Sequence, residues 1–260
     1  MSIKLNSYAK INLALSINYK RSDDYHDISS IMQEIDLHDI LEIYKNQSGI
    51  INIISHGIQV PEDESNLCYK AAKLFCDYYN IKEGVDIIIT KNIPVGAGLG
   101  GGSSNASTTI KGLSELFDID ISNRIFYQFS SQIGADVAFF CNGGIQYAEG
   151  IGDKLSRLSP LSNKYYFLLI CPKIHISTVW AYREFKKYLE NNLNAPKFVP
   201  LGASSYEIDW STLRNDFEKV VLSTYPEIKE IKEKLKQTKS LFSSLSGSGS
   251  TMFGVYDNLE

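Results

Sequence analysis

The chain is 260 residues long, enough to bury a full core in one large or two modest domains. With 43% hydrophobic and 22% charged residues it has an ordinary globular composition. Its net charge of −4 excludes a broad basic surface for nucleic acid, so a phosphate ligand has to be held by local groups.

Residues 7–17 alternate: Ala9, Ile11, Leu13, Leu15 and Ile17 are apolar, with Tyr8, Lys10, Asn12 and Ser16 between them. A period of two predicts a half-buried strand whose Lys10 and Asn12 leave one polar face, opposite the core and about 7 Å apart. Taken alone, Lys10 is an ordinary solvated lysine. The alternation and the charge at Lys10 also predict neither a secretory leader nor a membrane anchor. Leu67, Ala71, Leu74, Phe75 and Tyr78 are spaced for a helix over 66–79, and strands are predicted at 85–90 and 145–148. Cys68, Cys76, Cys141 and Cys171 form no C-x-x-C pair and have no histidine at ligand spacing, as expected for reduced thiols in a cytoplasmic protein.

The segment Pro94-Val95-Gly96-Ala97-Gly98-Leu99-Gly100-Gly101-Gly102-Ser103-Ser104-Asn105-Ala106-Ser107 carries the most information. Glycines let successive backbone N–H groups turn toward one centre, and the helix predicted over 104–116 adds unpaired N–H groups and a positive dipole end. A Walker A loop needs lysine after its last glycine, and Ser103 stands there instead. The dinucleotide fingerprint G-x-G-x-x-G fits Gly96, Gly98 and Gly101, but Pro94 interrupts the strand it needs, and its acid, Glu115 or Asp118, would lie in or after helix. A flexible linker is the plain alternative, and Leu99 argues against it.

Further along, residues 131–140 end an amphipathic helix, turn at Gly134 and offer Asp136 before an apolar run. On its own Asp136 reads equally as a helix cap. Ser, Pro and Asn around 156–163 suggest a hinge. A strand at 165–171, a helix at 178–190, a loose polar stretch at 191–209 and helices near 212–222 and 226–237 follow. The loop Ser246-Gly247-Ser248-Gly249-Ser250-Thr251 then precedes a last strand, and alone it would be a plain hairpin turn.

The order Pro-x-Gly-x-Gly-Leu-Gly-small-small-Ser-Ser-x-Ala resembles the phosphate loop of the GHMP small-molecule kinases almost letter for letter. The opening Ala9-Lys10-Ile11-Asn12-Leu13, followed by Arg21-Ser22-Asp23-Asp24-Tyr25-His26, is similar to one branch in particular, the 4-diphosphocytidyl-2-C-methyl-D-erythritol kinase family. That branch carries Ala-Lys-(Ile/Leu)-Asn-Leu and then Arg-x-Asp-Gly-Tyr-His, whereas mevalonate, galactose and homoserine kinases open differently. Two residues depart from the pattern: Asp24 replaces glycine and Tyr8 replaces proline. Nearly the whole chain is covered, although the family usually continues for another helix and strand. That difference implies a shortened sheet edge in the second domain.

The resemblance implies an α+β fold in two domains, a mixed-sheet N-terminal domain over 1–157 and a ferredoxin-like C-terminal domain over 158–260, with the active site in the cleft between them. It implies Asp136, in the phrase Gly-Ala-Asp-Val, as base with Lys10 assisting, and residues Pro94 through Ser104 around ATP. Asn12, Tyr25, His26 and Tyr182 fall to the substrate, with Tyr25 stacking on cytosine and His26 pairing with its edge. Tyr182 also fits the buried face of its own helix. Ser246, Gly247, Ser248 and Gly249 match a third motif beside the phosphates, and Mg²⁺ is expected with ATP, Ser104 being the protein group nearest it. His38, His56 and His175 match nothing functional.

The implied reaction is ATP-dependent phosphorylation of the 2-hydroxyl of 4-diphosphocytidyl-2-C-methyl-D-erythritol in non-mevalonate isoprenoid synthesis. Its partner is then a small molecule, with no nucleic acid and no membrane, and the oligomeric state stays open. The alternatives are a GHMP kinase for another small alcohol, homoserine or mevalonate, and a non-catalytic nucleotide-binding relative.

Overall fold

The structure, a computed structural model, describes residues 2–23, 25–161, 164–191 and 208–258. Asp24 and all but the ends of the polar stretch 191–209 lie outside the described residues. The chain divides into two compact units, and neither is contiguous in sequence. Met1–Lys10, Glu34–Val95 and Gly100–Gly143 form the first, and Ile11–Gln33, Gly96–Leu99 and Gly144–Glu260 the second.

Strands β1 (Ser2–Lys20) and β2 (His26–Asn46) pair with each other and contribute residues to both units. In the first unit, β2 also pairs antiparallel with β4 (Gly84–Lys91), Ile40 opposite Thr90 and Asn46 opposite Gly84. Strand β3 (Ile51–Gly57) joins β4 in parallel, Ile51 opposite Val85, which makes the sheet mixed. A parallel pair needs a crossover, and helix α1 (Leu67–Tyr79) supplies it. Asn66 starts α1 by accepting from the Cys68 amide at 2.8 Å, and Asn80 ends it in the left-handed conformation. Helices α2 (Gly101–Leu116) and α3 (Asn123–Ile133) complete the layer, followed by a 3-10 turn at Ala135–Val137 and the short α4 (Phe139–Asn142). Leu41, Ile43, Ile87 and Ile89 from the sheet meet Ala71, Phe75, Ile110, Leu113 and Phe129 from the helices in one core.

In the second unit, β2 pairs antiparallel with β5 (Ile145–Glu149), which pairs with β6 (Lys154–Arg157). A separate antiparallel sheet has the order β7 (Tyr166–Ile170), β9 (Met252–Tyr256), β8 (Phe242–Leu245). Helices α5 (Thr178–Asn191), α6 (Glu218–Thr224) and α7 (Pro226–Lys236) belong to it, with Phe185, Phe217, Val221, Ile228 and Leu235 buried beside Leu245 and Met252.

Three expectations need amending. From Ala9 to Ile17 strand β1 is covered on both faces: Lys10 is 4% exposed and Asn12 1%, so their polar face is an interior one there, while Lys4, Asn6 and Tyr8 stay exposed. Residues 156–157 belong to β6, paired through Ser156 and Arg157, and are not hinge. The helix placed near 212–222 starts only at Glu218, because Asn215 and Asp216 spend their side chains on backbone elsewhere. Asn215 Nδ2 donates to the carbonyls of Leu245 (2.7 Å) and Gly247 (2.8 Å), and Asp216 Oδ2 accepts from the Ile17 amide at 2.9 Å.

Candidate active site

In the first unit the chain leaves β4 through Asn92, Ile93 and Pro94 and reaches α2 at Gly100, which caps the helix in the left-handed conformation (φ +68°). No side chain caps that end, so the first-turn amides keep their capacity for an anion. A Cβ on Gly100 would lie 3.1 Å from Lys10 Cγ and 3.1 Å from the Phe140 ring, so the lysine stem runs directly along this turn. Its ammonium stands 3.4 Å from Asp136 Oδ2, with the lysine side chain 5% and the aspartate 36% exposed. Asp136 lies in the 3-10 turn after Gly134, where its acceptance as a side-chain cap is not needed: Gly134 occupies the cap position. A buried amine and a half-open carboxylate therefore meet beside the uncapped end of α2.

Ser104 is 1% exposed, and its hydroxyl shares a 2.7 Å hydrogen bond with Ser7; Ser103 next to it is partly exposed. Gly101 and Gly102 form the first turn of α2, and Val95 is exposed on the approach. Asp118 and Glu115 sit at or beyond the end of α2, where no strand follows, which removes the dinucleotide reading.

In the second unit Leu99 is fully buried and anchors its loop, which excludes a flexible linker. Gly98 has φ +80°, and a Cβ there would fall 2.1 Å from the Ser246 carbonyl oxygen, so only glycine allows this approach. Ser246 Oγ donates to the Gly98 carbonyl at 2.8 Å and the Thr251 amide to the Ala97 carbonyl at 3.2 Å. The hairpin loop between β8 and β9 is thus stitched to the glycine segment. Gly247 lies against Asn12, whose amide donates to Ser30 Oγ at 2.8 Å and whose backbone N–H reaches Ser246 Oγ at 3.3 Å. Ser248 Oγ and Thr178 Oγ1 are 2.9 Å apart, tying that loop to the start of α5, and Gly249 packs on Ile176.

Tyr25, His26 and Tyr182 line one cavity of about 540 Å³ in this unit, with Ile151, Arg183 and Lys186 also in its wall. The rings of His26 and Tyr182 are stacked, centroids 4.7 Å apart and 13° from parallel, and Tyr182 meets Phe217 edge-on. Tyr25 is 61% exposed. Its turn is fixed locally: the Arg21 amide donates to the Tyr25 carbonyl at 2.8 Å, and Asp23 accepts from the Tyr25 amide at 3.2 Å. The Arg21 guanidinium hydrogen-bonds Asp23 and holds its carboxyl below the usual range.

His175, which matches no motif, lies against the glycine segment, its Nδ1 3.2 Å from the position of a Gly96 Cβ. No motif would have found it, because its neighbours in sequence carry no pattern. Burial pushes the Cys68 thiol up to about 12 and Cys76 up to about 11, so neither supplies a thiolate near neutrality. Lys111 Nζ donates to the Phe140 carbonyl at 2.7 Å, and burial lowers its pKa. Among the described residues no group of three or more His, Cys, Asp or Glu could hold a metal, and no helix is long and apolar enough to cross a membrane.

A buried lysine paired with an aspartate thus lies beside a glycine-capped helix start, and comparison with known proteins supplies the class, the GHMP kinases. Residues 66–144 match the family model for the GHMP kinases N terminal domain, and residues 189–260 match GHMP kinases C terminal. The 4-diphosphocytidyl-2-C-methyl-D-erythritol kinase of Clostridium novyi (strain NT) is 44% identical over 97% of this chain and 90% of that protein. A crystal structure of 4-(cytidine 5'-diphospho)-2C-methyl-D-erythritol kinase superposes with a TM-score of 0.82 at 28% identity, covering 98% of this chain and 91% of that one. Homoserine kinase from Cytophaga hutchinsonii has a TM-score of 0.69 at 19% identity over 99% and 86% of the two chains, a likeness of fold alone. The chain belongs to the 4-diphosphocytidyl-2-C-methyl-D-erythritol kinase family.

Proposed function

We propose that this chain transfers the γ-phosphoryl group of ATP to the 2-hydroxyl of 4-diphosphocytidyl-2-C-methyl-D-erythritol. The full-length likeness to the C. novyi kinase names the substrate, and the 3.4 Å pairing of Lys10 with Asp136 beside Gly100 is the observation that carries the chemistry. Asp136 accepts the hydroxyl proton as the new oxygen–phosphorus bond forms, and the bond to the β-phosphate oxygen breaks with its electron pair leaving on ADP. Lys10 orients the carboxylate and balances charge near the acceptor oxygen.

The uncapped start of α2 and the left-handed glycines fit a triphosphate, whose oxygens take up the orphan amides at Gly101, Gly102 and Ser103. With Pro94 through Leu99 leading into that turn, the segment from Pro94 to Ser104 forms the ATP loop, and Ser246 through Gly249 buttress it. Mg²⁺ accompanies ATP and neutralises its phosphate charge. The few acidic groups among the described residues fit an ion that would be held mainly by phosphates and water, and Ser104 could offer it a lone pair while its proton stays on Ser7. Tyr25 takes one face of the cytosine and His26 its edge, Tyr182 takes the other face once its stack with His26 opens to admit the base, and Asn12 serves the methylerythritol end. The matched family regions fall on either side of residue 157, which supports sequence domains 1–157 and 158–260, while the compact units interleave across that boundary, β5 and β6 preceding it yet belonging to the second unit. The reaction belongs in the cytoplasm, where ATP and reduced thiols are available.

A coupled ADP-release assay with the cytidine-bearing alcohol, mevalonate and homoserine side by side tests this. Release with the first alone is expected. Release with either of the others reassigns the substrate, and release with none makes the chain a nucleotide-binding relative.

A further inference from the structure

The start and end of the ATP loop share a buried polar network that no motif contains. Asp39 (fully buried), on β2, lies behind the loop. Its Oδ1 accepts from the amides of Asn92 (2.7 Å) and Ile93 (2.8 Å), where the chain enters the loop. Its Oδ2 accepts from the Lys91 ammonium and from Asn105 Nδ2 (2.8 Å), where the chain leaves it. Lys91, 3% exposed, also donates to Asn105 Oδ1 at 3.2 Å, and Asn105 Nδ2 reaches Ser7 Oγ at 2.9 Å. Ser7 in turn holds Ser104. A Cβ on Gly101 would lie 2.8 Å from Lys91 Nζ, so the ammonium rests against the first residue of α2.

All these groups belong to the first unit, and both oxygens of Asp39 are occupied by donors from opposite stems of one loop. A buried ion pair is a poor source of net stability, since desolvation offsets most of the attraction. A fully satisfied buried network does fix geometry, because each member has no alternative partner of equal quality. We propose that Asp39, Lys91 and Asn105 are positioning residues that clamp the two stems of the ATP loop at the separation its amides need to grip the triphosphate. The proposal rests on the kinase reading above and adds how the loop is held.

Charge and geometry separate in the double variant Asp39→Asn/Lys91→Met, which leaves the net charge unchanged. The clamp predicts that KM for ATP rises roughly tenfold while KM for the alcohol stays within about twofold. If that variant fails to fold, Asn105→Ala, which keeps the ion pair, is expected to raise KM for ATP about three- to tenfold. It should also speed hydrogen exchange of the amides at 96–104 about tenfold, with exchange in α1 unchanged. A KM for ATP within twofold of wild type in whichever variant folds, with unaltered exchange of those amides, overturns the clamp. An inactive wild-type protein instead strikes the kinase reading, and the exchange measurement still decides whether the network holds the loop.

Discussion

Replacing Gly98 by alanine tests how closely the glycine segment and the β8–β9 loop depend on each other. The added Cβ would stand 2.1 Å from the Ser246 carbonyl oxygen, and ordinary contact begins at 3.4 Å, so one chain must retreat by at least about 1.3 Å. The residue must also hold φ +80°, at a cost of about 1–2 kcal/mol for an L side chain. A retreat of that size breaks the Ser246 Oγ to Gly98 bond (2.8 Å) and the Thr251 to Ala97 bond (3.2 Å), each worth about 0.5–1.5 kcal/mol. The sum is about 2–5 kcal/mol, or roughly 4–20 °C in Tm for a chain of this size. A loop misplaced by more than 1 Å costs on the order of a hundredfold in kcat/KM, expected here through KM for ATP. Gly144→Ala is the control: it has φ +69° but open space around its Cβ, so it should cost about 1–2 kcal/mol and leave KM alone. Thermal melts and steady-state kinetics on both variants decide the matter. If Gly98→Ala melts no lower than Gly144→Ala, or keeps its KM for ATP within twofold, the steric reasoning is wrong.

Lys10→Ala and Asp136→Asn should each lower kcat by about 10²–10⁴-fold with Tm near wild type, and a near-normal rate in the aspartate variant would remove it as base. Tyr182→Ala should raise KM for the cytidine-bearing alcohol about 5–150-fold, the equivalent of about 1–3 kcal/mol of stacking, and leave KM for ATP in place; equal rises in both would point to a folding role. Lys111 should make stability rise with pH. Burial lowers its folded pKa below the unfolded 10.5, so between those two values the unfolded chain binds more protons. The penalty is full below the folded pKa and relieved as pH climbs from there toward 10.5. Melts of Lys111→Met should lack this rise, and parallel Tm–pH curves for the two proteins would contradict it.

Much of the candidate site could be singled out because phosphate binding and proton transfer call for particular residues in local order. The glycine segment, Lys10 in its alternating strand and Asp136 after Gly134 each stand within a short run of sequence, and the resemblance joined them. What escaped is long-range. Asp39 lies in a stretch where Glu34, Asp36, His38 and Asp39 suggest an exposed segment, yet it is a fully buried part of the 21-residue strand β2. Its partners Lys91 and Asn105 are brought in by strand pairing and helix packing, which local periodicity does not report. Alternation puts Lys10 and Asn12 on one face of β1, but it records only which residues differ, not what covers them, so the burial of that face is not readable from it. Asn215 likewise reads as a helix residue until its amide is found on two carbonyls of the β8–β9 loop.

The interleaved path of the chain bears on how the molecule is made and dismantled. The backbone passes from one unit to the other after Lys10, Gln33, Val95, Leu99 and Gly143, five times in all. No single cleavage point yields two self-sufficient fragments: a piece spanning 158–260 would lack 11–33 and the strand pair β5–β6 that complete its unit. Ribosomal synthesis completes the residues of the first unit at Gly143, whereas the second unit, begun at Ile11, must wait for the C-terminal strands before its core can close.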